Sequence, residues 1–333
     1  MVSSRFLGAS ECASTELILL ESSGNQERLH LREVTSVWLC PDSLGPSLQE
    51  LVITNVDEIK IAPRVLAHRL TDFTLRVNGV QDKLAFSKEA LVVEAGEITN
   101  ADDVSNSHME SALGYHHSLR IRVFVVNANY VTFETKSVSG PYVWVDVQHS
   151  RKLKIETQGM EAVLNLTLSV SSTRSLEMEP NAVVINKLQV TDLLSFLLMK
   201  ESVTVKAPGG HVILRNITRI VAYEKSFILG RGATLELSEI FIVSSFSRAF
   251  FAESLLDSVM LTEVMTNPIA NSLCLATHNL TMHRTVISGC VKFREHIGGR
   301  GESPVALCKV NSMEEMADPC HCTEPRCGFC AGQ

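Results

Sequence analysis

Two groups of residues in this chain have the types and spacing to do chemistry. The first is Cys320-His321-Cys322 followed by Cys327-Gly328-Phe329-Cys330. Thiolates of Cys320, Cys322, Cys327 and Cys330 match the four sulfur ligands of a tetrahedral zinc site, with His321 as a substitute. The same spacing suits a small disulfide knot or free thiols, and the knot is the preferred expectation, so no cofactor is expected. The second group is Asp192, Asn216, Glu239 and Glu263, which recur at intervals of 24, 23 and 24 residues, with Arg284 next. Stacked one above another in a repeat, Glu239 and Glu263 would lie about 5 Å apart, the carboxylate separation of a retaining glycosidase. Like charges so close raise one carboxyl pKa, as acid–base work requires, or attract a cation.

Other constellations carry less. His116-His117 lies in a polar stretch with no further ligands in view, and reads as a solvated pair. Asp146, His149 and Ser150 have the composition of a catalytic triad, but neighbours in one strand and its turn do not face one another as nucleophilic catalysis requires. Three N-glycosylation sequons begin at Asn165, Asn216 and Asn279. Roughly two would arise by chance, so placement decides between them. Asn165 alternates with Leu164 and Leu166 and should point outward, so Asn165 and Asn279 are the glycosylation candidates.

The elements that position these residues follow from a six-residue pattern: apolar, any, apolar, polar, Asn/Asp/Glu, apolar. It occurs as Leu29–Val34, Leu51–Val56, Leu188–Leu193, Val212–Ile217, Leu235–Ile240 and Val259–Val264, with a degenerate copy at Leu280–Thr285. Weaker alternating runs, Phe73-Leu75-Val77, Leu119-Ile121-Val123, Val143-Val145-Val147 and Leu164-Leu166-Leu168-Val170, keep about the same beat between them. The period of roughly 23 residues implies about eleven coils. Alternation with period 2 marks strands with one buried face. The fourth slot is polar in every copy (Arg32, Thr54, Thr191, Arg215, Ser238, Thr262, His283) and defines the solvent side. The fifth slot is a corner, where Asn and Asp tolerate the left-handed backbone.

On these repeats the chain resembles the right-handed parallel β-helix, or pectin-lyase-like, superfamily over roughly residues 25–290. The resemblance implies an all-β solenoid, and many of its members bind or cleave polysaccharides. A leucine-rich-repeat solenoid is the alternative, since Leu70-Phe73-Leu75-Asn78-Val80 is close to that consensus. Gly209 and Gly232 stand where most copies would need the leading leucine, and strand-like Val203-Val205 and Phe227-Ile228-Leu229 occupy the helical part. The expected organisation is an N-terminal cap over 1–40, the solenoid over 41–290 with a protruding polar loop near 97–117, and a glycine- and cysteine-rich tail over 291–333.

Composition bounds the function. Aromatics are 6% of the chain, so β-branched and aliphatic stacking must build the core. The formal charge is -7 with no long basic run, which argues against a nucleic-acid partner. No apolar stretch of about 18 residues is present, so no transmembrane helix is expected. The first twenty residues lack the basic and apolar regions of a signal peptide. Nine cysteines, an odd number, nevertheless favour an extracellular setting over a cytoplasmic one, with Cys12, Cys40, Cys274 and Cys290 as disulfide candidates and Cys12–Cys40 pinning the cap. The expected function is a non-enzymatic scaffold or recognition protein that binds protein or glycan through a solenoid face. The alternative is a polysaccharide hydrolase or lyase using Glu239 and Glu263. The corner placement favours the scaffold, because such residues commonly serve the turn, and the aromatic platforms a sugar groove needs are far off: Trp144 and Tyr142 are the nearest.

Overall fold

A computed structural model describes residues 27–41, 43–45, 47–66, 72–93, 119–206, 208–244, 248–266, 272–286, 289–296, 305–309 and 327–329. Among these residues the chain is all-β, a parallel solenoid of about nine stacked turns. It divides into two compact units, residues 1–151 with 158–167, and residues 152–157 with 168–333.

The first unit contains β1 (Arg28–Arg32), β2 (Ser36–Leu39), β3 (Glu50–Ile61), β4 (Phe73–Phe86), β5 (Leu91–Val92), β6 (Arg120–Phe133) and β7 (Val138–Gln148). After β8 (Lys152–Ile155), which belongs to the second unit, the first eight residues of β9 (Met160–Ser171) complete it. Neighbours pair in parallel, with Leu29 against Leu51, Leu51 against Leu75, Leu75 against Val123 and Val123 against Val145. Each buried apolar row therefore repeats the same slot of successive coils, which is why aliphatic side chains of similar size recur there. The long strands bend at a corner. Glu33, Asn55 and Asn127 have φ between 52° and 56°, and Gly79, at φ 75°, occupies the same column. Inside the second face, Phe86 stacks on Phe133 with ring centroids 4.4 Å apart.

The second unit comprises β8, the end of β9, and β10 (Ser175–Met178), β11 (Val183–Ile185), β12 (Lys187–Leu193), β13 (Ser195–Leu198), β14 (Val203–Val205) and β15 (His211–Ala222). It continues through β16 (Phe227–Leu229), β17 (Thr234–Ser244), β18 (Phe250–Ala252), β19 (Leu256–Thr266), β20 (Leu273–His283), β21 (Gly289–His296), β22 (Val305–Lys309) and β23 (Cys327–Phe329). The repeat register holds residue by residue: Leu188 pairs with Val212, Val212 with Leu235, Leu235 with Val259, and Val259 with Leu280. Val203–Val205 and Phe227–Leu229 pair as strands, so the leucine-rich-repeat alternative, which needs a helix there, is excluded. Phe227 is sandwiched between Phe250, stacked at 4.6 Å, and Phe196, edge-on at 6.3 Å.

Three expectations need adjustment. The turns number about nine rather than eleven. One step is lost because Phe73 pairs directly with Ile121, so 48 residues separate rungs that the beat would fill with two. The segment assigned to the cap enters the parallel ladder at Arg28, with Leu31 buried beside Ile53 and Leu29 half-buried beside Leu51. Nor does the ladder end near 290: β21 and β22 pair in parallel, and among the described residues only β23 reverses direction. The polar loop near 97–117, with His116 and His117, lies outside the described residues.

A second corner was not anticipated. Arg64, Glu89, Lys136 and Gln158 in the first unit take φ between 54° and 59°, as do Asn181, Glu201, Lys225 and Arg248 in the second, at 51° to 62°. Their backbones bond in series: the Arg64 N–H donates to the Glu89 carbonyl at 2.7 Å, Glu89 to Lys136 at 3.1 Å, and Lys136 to Gln158 at 2.8 Å. Except after Arg64, where Val65 follows, the next residue is small and buried, as at Ala90, Ser137, Ala182, Ser202, Ser226 and Ala249. The Ser202 hydroxyl donates to the Met199 carbonyl at 2.5 Å, and the Ser137 hydroxyl to the Gly159 carbonyl at 2.9 Å.

Candidate functional site

The pleat sends alternate residues of each coil outward, and on the first unit those residues are chemically distinctive. Register stacks Arg28, Glu50, Thr74, Arg122 and Trp144 in one outward column. His30, Val52, Arg76, Phe124 and Asp146 form the next, and Arg120 pairs with Tyr142 on the other side. Trp144 is 48% exposed and Tyr142 36%. Both rings are therefore partly presented to solvent.

Two of the cations on this face, Arg76 and Arg122, are paired with carboxylates. Arg76 lies over the Phe124 ring at 4.5 Å while its Nε donates to Glu50 Oε1 at 2.8 Å, and Glu50 also meets Arg28 at 3.2 Å. Phe124 in turn leans against Trp144, centroids 6.4 Å apart and planes at 46°. Arg122 approaches Asp72 at 3.7 Å, and the Arg120 backbone N–H donates to the same carboxylate at 3.0 Å. Among the described residues the Arg120 guanidinium has no ion-pair partner of its own. Exposed pairs of this kind contribute only about 0–1 kcal/mol each, so their effect here is orientation rather than stability.

Arg120, Arg122, Tyr142, Trp144, Asn165 and Thr167 line one open cleft of about 270 Å³. Its lining includes two aromatic side chains, two arginines, an asparagine and a threonine. Such a set grips a ligand with apolar faces and polar edges. Arg120, Arg122 and Phe124 escaped notice in the sequence. The signal was present: Arg120-x-Arg122 and Tyr142-x-Trp144 alternate with period 2 and stand one coil, 22 residues, apart.

The corner carboxylates fall where expected, but not as an isolated pair. Glu239 and Glu263 both have positive φ, 55° and 52°, and are flanked by the register pairs Ser238–Thr262 and Ile240–Val264. Glu263 Oε1 meets Arg284 Nη1 at 3.3 Å. Lower in the column, Asn216 Nδ2 donates to Asp192 Oδ1 at 2.6 Å. The column thus holds two bonded pairs, Asp192 with Asn216 and Glu263 with Arg284. Beside it Arg215 binds Glu236, and that carboxylate, with Glu239 adding to the field, raises the Arg215 pKa above its ordinary value.

Among the described residues no group of three or more metal-binding side chains occurs. Cys12, Cys320, Cys322 and Cys330 lie outside the described residues, and Cys327 opens β23 with its backbone in register with Cys308. Cys274 and Cys290 are register partners on neighbouring parallel strands, both buried. Of the sequon asparagines, Asn165 is exposed, Asn216 is engaged at the corner, and Asn279 is half-buried between Ser258 and Glu295. Leu164, expected to alternate inward, is 37% exposed, because Val163, Leu164 and Asn165 all face solvent before the pleat resumes at Leu166. Of the catalytic-looking trio, Asp146 accepts from Gln148 Nε2 at 3.0 Å, and the buried Ser150 hydroxyl has no partner among the described residues.

No family of known proteins, no curated protein and no solved structure matches this chain. No helix among the described residues is long and apolar enough to cross a membrane.

Proposed function

We propose that this chain is a non-enzymatic recognition protein that binds a glycan through the outward face of its first unit. One observation carries this: Tyr142 and Trp144 stand in register with Arg120 and Arg122 on a single open cleft. Sugar rings present C–H faces that stack on aromatic rings, and hydroxyl edges that guanidinium and carboxamide groups bond. The strands underneath are tied by parallel ladders on both sides, so the face is preorganised and little ordering accompanies binding. Titration calorimetry of the full chain against a panel of oligosaccharides tests the proposal. Binding to at least one that Trp144→Ala weakens by at least about tenfold is expected; a panel with no binder, or binding indifferent to Trp144, sinks it.

The enzymatic alternative, a β-helix polysaccharide hydrolase or lyase acting through Glu239 and Glu263, has less in its favour. Arg284 already engages Glu263, and the ring pair Tyr142 and Trp144 lies on the other unit. Any hydrolase activity that survives Glu239→Gln with Glu263→Gln excludes those carboxylates. Within the same proposal the coils wind right-handed, as in pectin-lyase-like proteins and as crossovers between parallel strands almost always do. The protein works outside the cell, with Cys274 and Cys290 joined. Register neighbours on parallel strands lie about 4.8 Å apart, inside the window a disulfide spans. Thiol titration of the native protein finding those two cysteines reduced rejects the bond.

A further inference from the structure

We propose that Asn165 carries an N-linked glycan whose first sugars lie across Tyr142 and Trp144, so that modification closes the cleft. The proposal rests on the recognition face described above, but concerns what occupies it. Three observations lead there. The sequon Asn165-Leu166-Thr167 spans two adjacent outward positions of β9, and both residues line the cleft with the two rings. The Thr167 hydroxyl donates to Asn165 Oδ1 at 3.2 Å. Among the described residues Asn165 Nδ2 has no hydrogen-bond partner, so the acceptor nitrogen is the free end of the carboxamide.

The other two sequons differ in just these respects. Asn216 Nδ2 is committed to Asp192 Oδ1 at 2.6 Å, on a residue with φ 50° in the corner ladder. A sugar on that nitrogen removes a hydrogen and places a ring where Asp192 stands. Asn279 is half-buried, with strand neighbours on both sides, and outward aromatic residues are absent from its paired positions Ser258 and Glu295.

The covalent step is a glycosyl transfer. Nδ2 of Asn165 attacks the anomeric carbon of a lipid-pyrophosphate-linked oligosaccharide, forming the C–N bond. The C–O bond to pyrophosphate breaks, the lipid pyrophosphate leaves with the electron pair, and the amide nitrogen loses one proton. The first sugar then stands directly beside two exposed ring faces. Stacking its C–H face there removes apolar surface from water on both partners, at the cost of ordering a few torsions.

The test uses the full chain secreted from cultured human cells behind a cleavable leader. Site occupancy is read by peptide mass spectrometry after amidase release in heavy-oxygen water, which marks each formerly glycosylated Asn. Occupancy of Asn165 with Asn216 unmodified in the folded protein is expected; an unmodified Asn165 overturns the proposal. Contact with the rings is read by acrylamide quenching of tryptophan fluorescence in a Trp38→Phe background, which leaves Trp144 as the only tryptophan of the two. The glycosylated protein should show a quenching constant lower by about a factor of two than the amidase-treated protein or Asn165→Gln, since covering one face of a half-exposed ring removes about half of its accessible surface. Equal quenching means the glycan points away and overturns closure. Oligosaccharide binding by Asn165→Gln separates the two ideas. If that variant binds nothing, the recognition proposal fails while the glycan contact stands or falls on quenching alone. If it binds, the glycosylated form should bind at least about tenfold more weakly, as expected when the same ring faces are already covered, and equal affinity overturns closure.

Discussion

The outward faces of the two units are built on the same ladder and decorated in opposite ways. On the first, equivalent slots hold His30, Val52, Arg76, Phe124 and Asp146, next to Arg122, Trp144, Arg120 and Tyr142. On the second, the corresponding column reads Gln189, Ile213, Glu236, Met260 and Thr281, flanked by His211, Thr234, Ser258 and Asn279. The buried slots between them are nearly interchangeable: Leu, Val and Ile with few exceptions, such as Phe73 and Met282. Stacking therefore constrains the inward positions and leaves the outward ones free; in these columns the first unit collects rings and guanidinium groups, whereas the exposed rings of the second, Tyr223 and Phe241, lie outside them.

The contrast can be broken or sharpened at several points. The largest effect belongs to the shared core. Phe227→Ala in the second unit and Phe86→Ala in the first should each cost about 3–5 kcal/mol, because a stacked, fully buried ring leaves a cavity that parallel ladders cannot collapse into. Urea unfolding measures both, and a loss confined to one unit would show that the cores are not equivalent. Next comes the face. Trp144→Ala should weaken oligosaccharide binding by at least about tenfold, or about 1.4 kcal/mol, with the unfolding midpoint unchanged. Met260→Ala, equally exposed on the second unit, should leave binding unaltered in the same titration.

Corner substitutions are smaller. Asn216→Ala loses the bond to Asp192 and places an alanine at positive φ, costing about 1–2 kcal/mol, whereas Asn216→Gly should recover part of that by relieving the backbone. Gly79→Ala in the first unit is the counterpart: its new Cβ would meet Asn55 Oδ1 at 2.8 Å, with φ at 75°. An alanine tolerated at either position in thermal melts would remove the strain account of that corner. The smallest effect is electrostatic. Glu179, bonded to Lys154 Nζ at 2.7 Å, raises the Lys154 pKa above its ordinary value of 10.5. Stabilisation from a raised pKa is complete below the unfolded value and disappears as pH climbs through the folded one, so it is lost only above about pH 10.5. Lys154→Met should flatten the stability profile there, with a change under about 1 kcal/mol for so exposed a pair.

Much of the ladder could be read in advance because one slot rule governs it. Leu188, Val212, Leu235, Val259 and Leu280 align by spacing alone, and parallel pairing then leaves no freedom in register. The Asp192–Glu263 corner was legible for the same reason. The second corner was not, since Arg64, Glu89, Lys136 and Glu201 are poor left-handed residues by type. Its usable mark is the residue that follows: Ala90, Ser137, Ala182 and Ser202 are small because the turn packs against the coil beside it. The candidate site was the least legible part. Arg120, Trp144 and Asn165 belong to three coils, and each alone is an ordinary outward residue.

What the amino-acid order settled without help is the alternation, its period and hence the inward rows, because burying every second residue is a local demand that each coil states for itself. What only the tertiary structure decided is which outward residues meet. The 48-residue step between Phe73 and Ile121 brings Arg76 over Phe124, and the pairing of β6 with β7 sets Arg122 beside Trp144. Those contacts join residues 22 to 48 positions apart whose own neighbours place no condition on them, so they exist only once the coils are stacked.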